Sequence, residues 1–288
     1  MMESGGVGIE HGKYGPRAVV KGPWCASIQR YLKDCTVREI ELNYANGWSG
    51  DSVEFLREFP ELRAVKIVDW KIRSVDAVNA LTELRSLDIS TYCRTVVQFD
   101  KFANLEQCSI EWRPGIEAIF DCASLQNLFV NRYRRSSADS FGQLVNLRSL
   151  AVLNAPIENI HGLCTLTKLL SLRLGNLKRL RSLAGLESLE LLNELNVDTC
   201  PKIESIGEVA QVGQLAKLNL SNCGRIASLK PLRALKRLEM VTFYESTDIV
   251  DGDLSPLLEL PRLVRVSFRN RRHYSHRREE FGALYGPR

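Results

Sequence analysis

One six-residue template, apolar-x-x-apolar-x-apolar, returns eleven times in this chain. It is filled by Val37/Ile40/Leu42, Leu62/Val65/Ile67, Leu84/Leu87/Ile89, Leu105/Cys108/Ile110, Leu125/Leu128/Val130 and Leu147/Leu150/Val152, then by Leu169/Leu172/Leu174, Leu192/Leu195/Val197, Leu215/Leu218/Leu220, Leu238/Val241/Phe243 and Leu263/Val266/Phe268. The first positions lie 25, 22, 21, 20, 22, 22, 23, 23, 23 and 25 residues apart. Such a period constrains a chain more tightly than local propensity does, because each unit is too short to enclose a core and must stack on its neighbours. Within each template the last two apolar positions are two residues apart, which puts them on one face of a short strand and the residues between them on the other.

Between strands the spacing changes to three. Ile157, Ile160, Leu163, Leu166 and Leu169 follow it, as do Leu177, Leu180, Leu183, Leu186 and Leu189, then Ile203, Ile206, Val209, Val212 and Leu215. A strict period of three fits a 3₁₀-like coil better than an α-helix, whose stripe would drift away after two turns. One strand per unit with a short same-direction return predicts a parallel sheet, each unit burying its leucines against the next.

These units resemble the leucine-rich repeat family in its short form of about 22 residues, similar to internalin-type repeats and to the repeat regulators of protein phosphatase. The resemblance covers about residues 37 to 268 and is strongest from Leu147 to Leu238. It implies an α/β solenoid: a right-handed superhelix of about 11 repeats with a parallel sheet on its concave face and 3₁₀ or helical coils on its convex face. The chain departs from the family at the eighth residue after the first leucine, where an asparagine ladder is usual. That place holds Ala45, Trp70, Tyr92, Arg113, Tyr133, Ala155, Leu177, Cys200, Cys223, Ser246 and Arg271, so no asparagine ladder is expected. Cys200 and Cys223 are expected to sit stacked and buried, bonding weakly through sulfur. The units with Trp or Tyr there are expected to turn more loosely.

A stacked sheet needs its ends covered. Residues 1–36 read as an N-terminal cap, with Trp24, Ile28, Tyr31 and Leu32 spaced as one face of an amphipathic helix. Residues 269–288 read as a basic partial cap and mobile tail anchored by Phe281, Leu284 and Tyr285.

With 44% hydrophobic residues in 288, the chain has material for a sizeable core, which excludes disorder. Its net charge of +5 is matched by residues 265–288 alone, which carry seven Arg against two Glu. Eight Cys without a CxxC pair suit reduced thiols rather than a disulfide scaffold, and the opening residues lack the pattern of a secretory signal. No run of 18 apolar residues occurs. A cytoplasmic protein, monomeric when alone and not inserted in a membrane, is therefore expected.

Catalysis has no motif behind it: the sequence holds no nucleophile elbow, phosphate-binding glycine loop or HExxH, and His11, His161, His273 and His276 are scattered. No cofactor or metal is expected. His273 and His276 lack a further ligand, and Asp248, Asp251 and Asp253 do not have the spacing of a calcium loop.

Function is then expected from the strand residues that face outward. These candidate partner-binding residues are Glu39, Glu41, Tyr44, Lys66, Asp88, Glu111, Trp112, Phe129, Asn131, Arg173, Asn196, Asp198, Asn219, Tyr244, Arg265 and Arg269. Trp112 and Phe129 stand out, since exposed aromatics dominate binding hot spots. The resemblance implies another protein as partner, held on the concave face. A lone module of this kind suits an inhibitor, in one version a bacterial immunity protein that neutralises a toxin. Alternatives are a regulatory subunit of a phosphatase or ligase, a secreted bacterial effector, or phosphate and nucleic-acid binding through the C-terminal arginines. Acidic residues among the outward positions argue against nucleic acid along the whole face.

Overall fold

The computed structural model describes residues 6–284. The chain divides into two compact units, Met1–Phe129 and Val130–Arg288. The first holds strands β1 (Val7–His11) and β2 (Pro16–Val20), helix α1 (Ala26–Asp34), and strands β3 (Glu39–Asn43), β4 (Ala64–Val68), β5 (Ser86–Ser90) and β6 (Gln107–Glu111). Strand β7 (Asn127–Asn131) falls at the division. The second unit holds β8 (Ser149–Leu153), β9 (Ser171–Gly175), β10 (Glu194–Asp198), β11 (Lys217–Asn219), β12 (Arg225–Ile226), β13 (Met240–Phe243), β14 (Asp248–Ile249), the short helix α2 (Ser255–Leu258) and β15 (Arg265–Phe268).

Every template supplies one strand, and neighbouring templates pair in register. In the first unit Ile40 stands beside Val65, Val65 beside Leu87 and Leu87 beside Cys108, all in parallel strands. In the second unit the row runs Leu150, Leu172, Leu195, Leu218, Val241, Val266. Alternation follows from the pleat: Leu172, Leu174, Leu195 and Val197 are fully buried, while Arg173 is exposed and Asn196 half-buried. Leu128 and Val130 are likewise enclosed and Phe129 between them is half-exposed.

The return segments are single 3₁₀ turns, as the period of three predicts. They span Glu54–Glu58, Asp76–Ala80, Phe99–Lys101 and Ile116–Asp121 in the first unit, and Asp139–Gln143, His161–Leu163, Leu186–Ser188, Gly207–Gln211 and Lys230–Ala234 in the second. Each turn drops at least one large apolar side chain into the core, among them Leu56, Val78, Phe141 and Leu186. Strands β12 and β14 form a separate two-residue parallel pair at the coil side.

At the N-terminal end, Ile28 and Leu32 of α1 are buried as the amphipathic pattern predicts. Trp24, just before the helix, stacks flat on Phe55 with ring centroids 3.5 Å apart. The sequence reading did not include the hairpin that precedes the helix. Strands β1 and β2 pair antiparallel, and β2 then adds to β3 in parallel. The hairpin turn uses Gly15 at φ 138°, and Gly12 comes so close to β3 that a Cβ there would displace the Glu39 carboxylate. At the other end Phe243 and Phe268 stack at 4.9 Å, and Phe281 packs edge-on against Phe268 at 5.6 Å. Tyr285 and the Leu284 side chain, the other two expected anchors, lie outside the described residues.

Candidate partner-binding surfaces

The outward residues of the first unit meet their own chain before they meet solvent. Glu39 and Glu41 of β3, placed by the alternation on an open face, are 7% and 5% exposed because the hairpin lies over them. The backbone N–H of Tyr14 donates to Glu39, and Arg17 Nη2 reaches Glu41 at 2.9 Å. Asn46 and Lys66 complete the Glu41 shell at 2.9 and 3.4 Å. From the hairpin turn, Lys13 and Tyr14 both reach Glu106 at 3.2 Å, where Arg85 also binds. Asp88, on β5, is half-buried. Burial raises its pKa, against the pull of the Ser109 hydroxyl and the Lys66 ammonium, and the nearby Glu41 charge raises it further. Beyond the hairpin the face opens: Glu111, Trp112 and Phe129 are half-exposed, and Tyr44 is 53% exposed. Trp112 leans on Phe120, with ring centroids 6.2 Å apart.

The residues eight after the first leucine behave differently in the two units. In the first, Trp70 and Tyr92 point outward, 40% and 66% exposed, and lean on each other at 4.7 Å. Arg113 is buried at the same place, directed at the Glu111 carbonyl, Thr91 Oγ1 and Cys93 Sγ at 3.4, 3.4 and 3.6 Å. Burial pushes the Cys93 thiol up, but the Thr91 hydroxyl, the Thr95 backbone and the Arg113 charge outweigh it, and its pKa is lowered. In the second unit Tyr133, Ala155, Leu177, Cys200 and Cys223 are buried there. Cys223 Sγ donates to the Val197 and Ser221 carbonyls at 3.3 Å, and Cys200 Sγ to the Asp198 carbonyl at 3.4 Å. Burial drives these thiols to about 12 and about 11.

A short run of asparagine contacts nevertheless exists, one residue earlier and on the outside. Arg132, Asn154, Asn176, Thr199, Asn222 and Glu245 all adopt the left-handed conformation, with φ between 54 and 60°. Asparagine tolerates this region better than most residues. The step turns the three asparagines sideways along the stack: Asn154 Nδ2 donates to Asn131 Oδ1 at 2.7 Å, Asn176 to Asn154, and Asn222 to Asp198 at 3.3 Å. Counting positions cannot distinguish this run from an inward ladder, because the difference lies in the sign of φ.

On the open face of the second unit Asn219 donates to Asn196 at 3.0 Å, and Asp198 accepts from Thr199 at 2.9 Å. Arg173 and Arg269 are exposed, while Tyr244 and Arg265 are half-buried. The C-terminal arginines are partly engaged within the fold. Arg271 binds the Thr247 carbonyl at 2.9 Å and lies 3.2 Å from Asp248, and Arg278 holds Glu279, whose carboxyl it lowers to about 2. His273 Nε2 sits 2.9 Å from the Ile249 carbonyl and 3.3 Å from Asp248. Among the described residues no group of three or more His, Cys, Asp or Glu side chains could hold a metal ion, and no helix is long and apolar enough to cross a membrane.

The strand register, the 3₁₀ returns and the buried leucine rows define the leucine-rich repeat fold. Comparison with solved structures agrees. The chain is similar to an internalin, InlF of Listeria monocytogenes, with a TM-score of 0.65 and 18% identity, over 93% of this chain and 84% of that one. It is similar to the functional domain of InlJ from the same organism, which includes a cysteine ladder, with a TM-score of 0.57 and 18% identity over 80% and 49%. A plant peptide hormone receptor, RGFR1, solved in complex with RGF2, matches with a TM-score of 0.52 and 14% identity over 92% and 52%. The chain thus spans about half the length of the latter two. No family model matches the sequence, and no curated protein does.

Proposed function

We propose that this chain is a non-enzymatic protein-binding module that seats its partner on the open face of the sheet. The observation that carries the reading is the placing of Trp112 and Phe129, both in the first unit: two large aromatics held half-exposed, Phe129 between buried Leu128 and Val130 and Trp112 just past the end of the strand that carries buried Ile110. Rigid aromatic side chains with polar neighbours such as Glu111 are the usual anchors of a protein interface. A plant receptor of similar fold, solved in complex with RGF2, supports binding as a role for this fold. A finer version is an inhibitor that works by occlusion inside the cell, of which a toxin-neutralising immunity protein is one form.

The test is to capture a partner from the native host, purify it, and titrate it calorimetrically with the full chain and with the Phe129→Ala and Trp112→Ala variants. A loss of about 2 kcal/mol or more for either variant supports the reading. If affinity instead survives both changes, falls steeply with salt and vanishes on removing residues 269–288, the site is the arginine-rich end and the reading is wrong.

A further inference from the structure

The two units carry opposite charge. Residues 1–129 hold 15 Lys and Arg against 18 Asp and Glu, whereas residues 130–288 hold 24 against 16, a balance of −3 beside +8. Much of the positive excess sits in one place. After five of the six left-handed steps of the second unit, all but Glu245, the next side chain is buried, and several of the residues that follow point out to solvent. These outward positions carry Arg134, Lys178, Arg179, Arg181, Lys202 and Arg225, all exposed. The coils that carry them are tied edge to edge: the Glu158 N–H donates to the Ser136 carbonyl, Arg181 to Glu158, and Ala227 to Glu204. The cations therefore form a row with a spacing of about 5 Å or small multiples of it.

Some cations elsewhere in this unit are ion-paired, as Arg233 is with Glu259 at 2.9 Å and Lys230 with Asp251 at 4.0 Å. Others, such as Arg173 and Lys217 on the open face, have no ion pair among the described residues. Among the described residues none of the six on the strand-exit edge has an ion-pair partner. We propose that this edge docks an acidic polypeptide segment of a partner protein, a second contact beside the open face; that the partner is a protein rests on the reading above. An extended chain repeats every two residues in about 6.6 Å, close enough to the coil spacing for successive carboxylates to meet successive cations. A polyphosphate backbone fits less well, because Glu158 and Glu204 stand in the same loops and phosphate contact favours one sign throughout.

The experiment is fluorescence anisotropy with a labelled peptide of about 12 residues, alternating Glu and Ser, and separately a single-stranded oligothymidylate of equal charge, at about 150 mM salt. The peptide is expected to bind more tightly than the oligonucleotide. Arg134→Ser with Arg179→Ser should weaken it about tenfold and flatten its salt dependence, while the control pair Lys230→Ser with Arg233→Ser should change it less than about twofold. Circular dichroism of each variant confirms the fold, and Arg134→Lys with Arg179→Lys should retain binding. Tighter binding of the oligonucleotide, no binding of the peptide, or equal loss in the control pair would overturn the proposal. Phe129→Ala separates the two readings. Unchanged peptide affinity in that variant, with a captured partner lost, supports both sites; a peptide that never binds while Phe129→Ala still weakens the captured partner sinks the edge alone.

Discussion

The two units use the same template but close the turn after each strand differently. In the second, a left-handed residue lets the backbone swing outward while the next side chain drops inward, so that Leu177, Cys200 and Cys223 fill the stack. In the first, among the described residues, only Thr36 among non-glycines takes positive φ, and it precedes β3. Its turns after β4 and β5 send Trp70 and Tyr92 out, and the turn after β6 draws Arg113 in. The backbone sign thus helps set whether this repeat position is core or surface, although Arg113 is buried without it and Ser246 is exposed despite it. It leaves one unit with exposed aromatics and the other with a basic rim.

The sharpest way to break this contrast is to truncate the same position in both units. Leu177→Ala should cost about 2–5 kcal/mol in urea unfolding, as a fully buried leucine does, whereas Trp70→Ala should cost under about 1 kcal/mol. Equal costs would mean that the inward and outward turns are not what separates the units. Next in size is Arg113→Ala, expected to lose about 1–3 kcal/mol by removing the donors that hold Thr91 and the Glu111 carbonyl. Iodoacetamide labelling of Cys93 should shift to higher pH in this variant, since one of the influences that lower its thiol is gone. Cys200 and Cys223, raised by burial, should label only on unfolding, after exposed Cys25. Smaller still, Glu245→Asn should stabilise the second unit by about 0.5–1 kcal/mol, because Glu245 holds φ 58° without the side-chain geometry that makes Asn tolerant of it.

The remaining prediction concerns pH and the first unit. Asp88 has a raised pKa, so the fold disfavours its charged form. The Asp88 contribution to stability is therefore full below the ordinary carboxylate range and is lost as pH rises through the Asp88 value. Asp88→Asn should flatten that decline in melting temperatures taken across the acid range, leaving the neutral-pH fold at least as stable as the parent.

The strands, the parallel register and the 3₁₀ returns were legible because all three are periodicities, and a period of two beside a period of three needs no tertiary information. What escaped was what one segment does to another. Nothing in VGIEH or PRAVV says that the hairpin will lie over Glu39 and Glu41, since that depends on where a dozen distant residues come to rest. The outer asparagine contacts escaped because spacing carries no handedness. The aromatic side chains of Trp112 and Phe129 were found by alternation alone, whereas for Trp70 and Tyr92 the spacing suggested only a looser turn and not that both rings would point outward.

The leucine row of the second unit, from Leu150 to Val266, has a consequence for how a gene of this kind can change length. Removing one complete coil rejoins the row with its partners exchanged but every side chain still facing as before. Losing a single residue within a strand reverses inside and outside from that point to the strand's end. Growth and shrinkage are therefore quantised: whole coils can be gained or lost while the surfaces on either side of the event keep their chemistry.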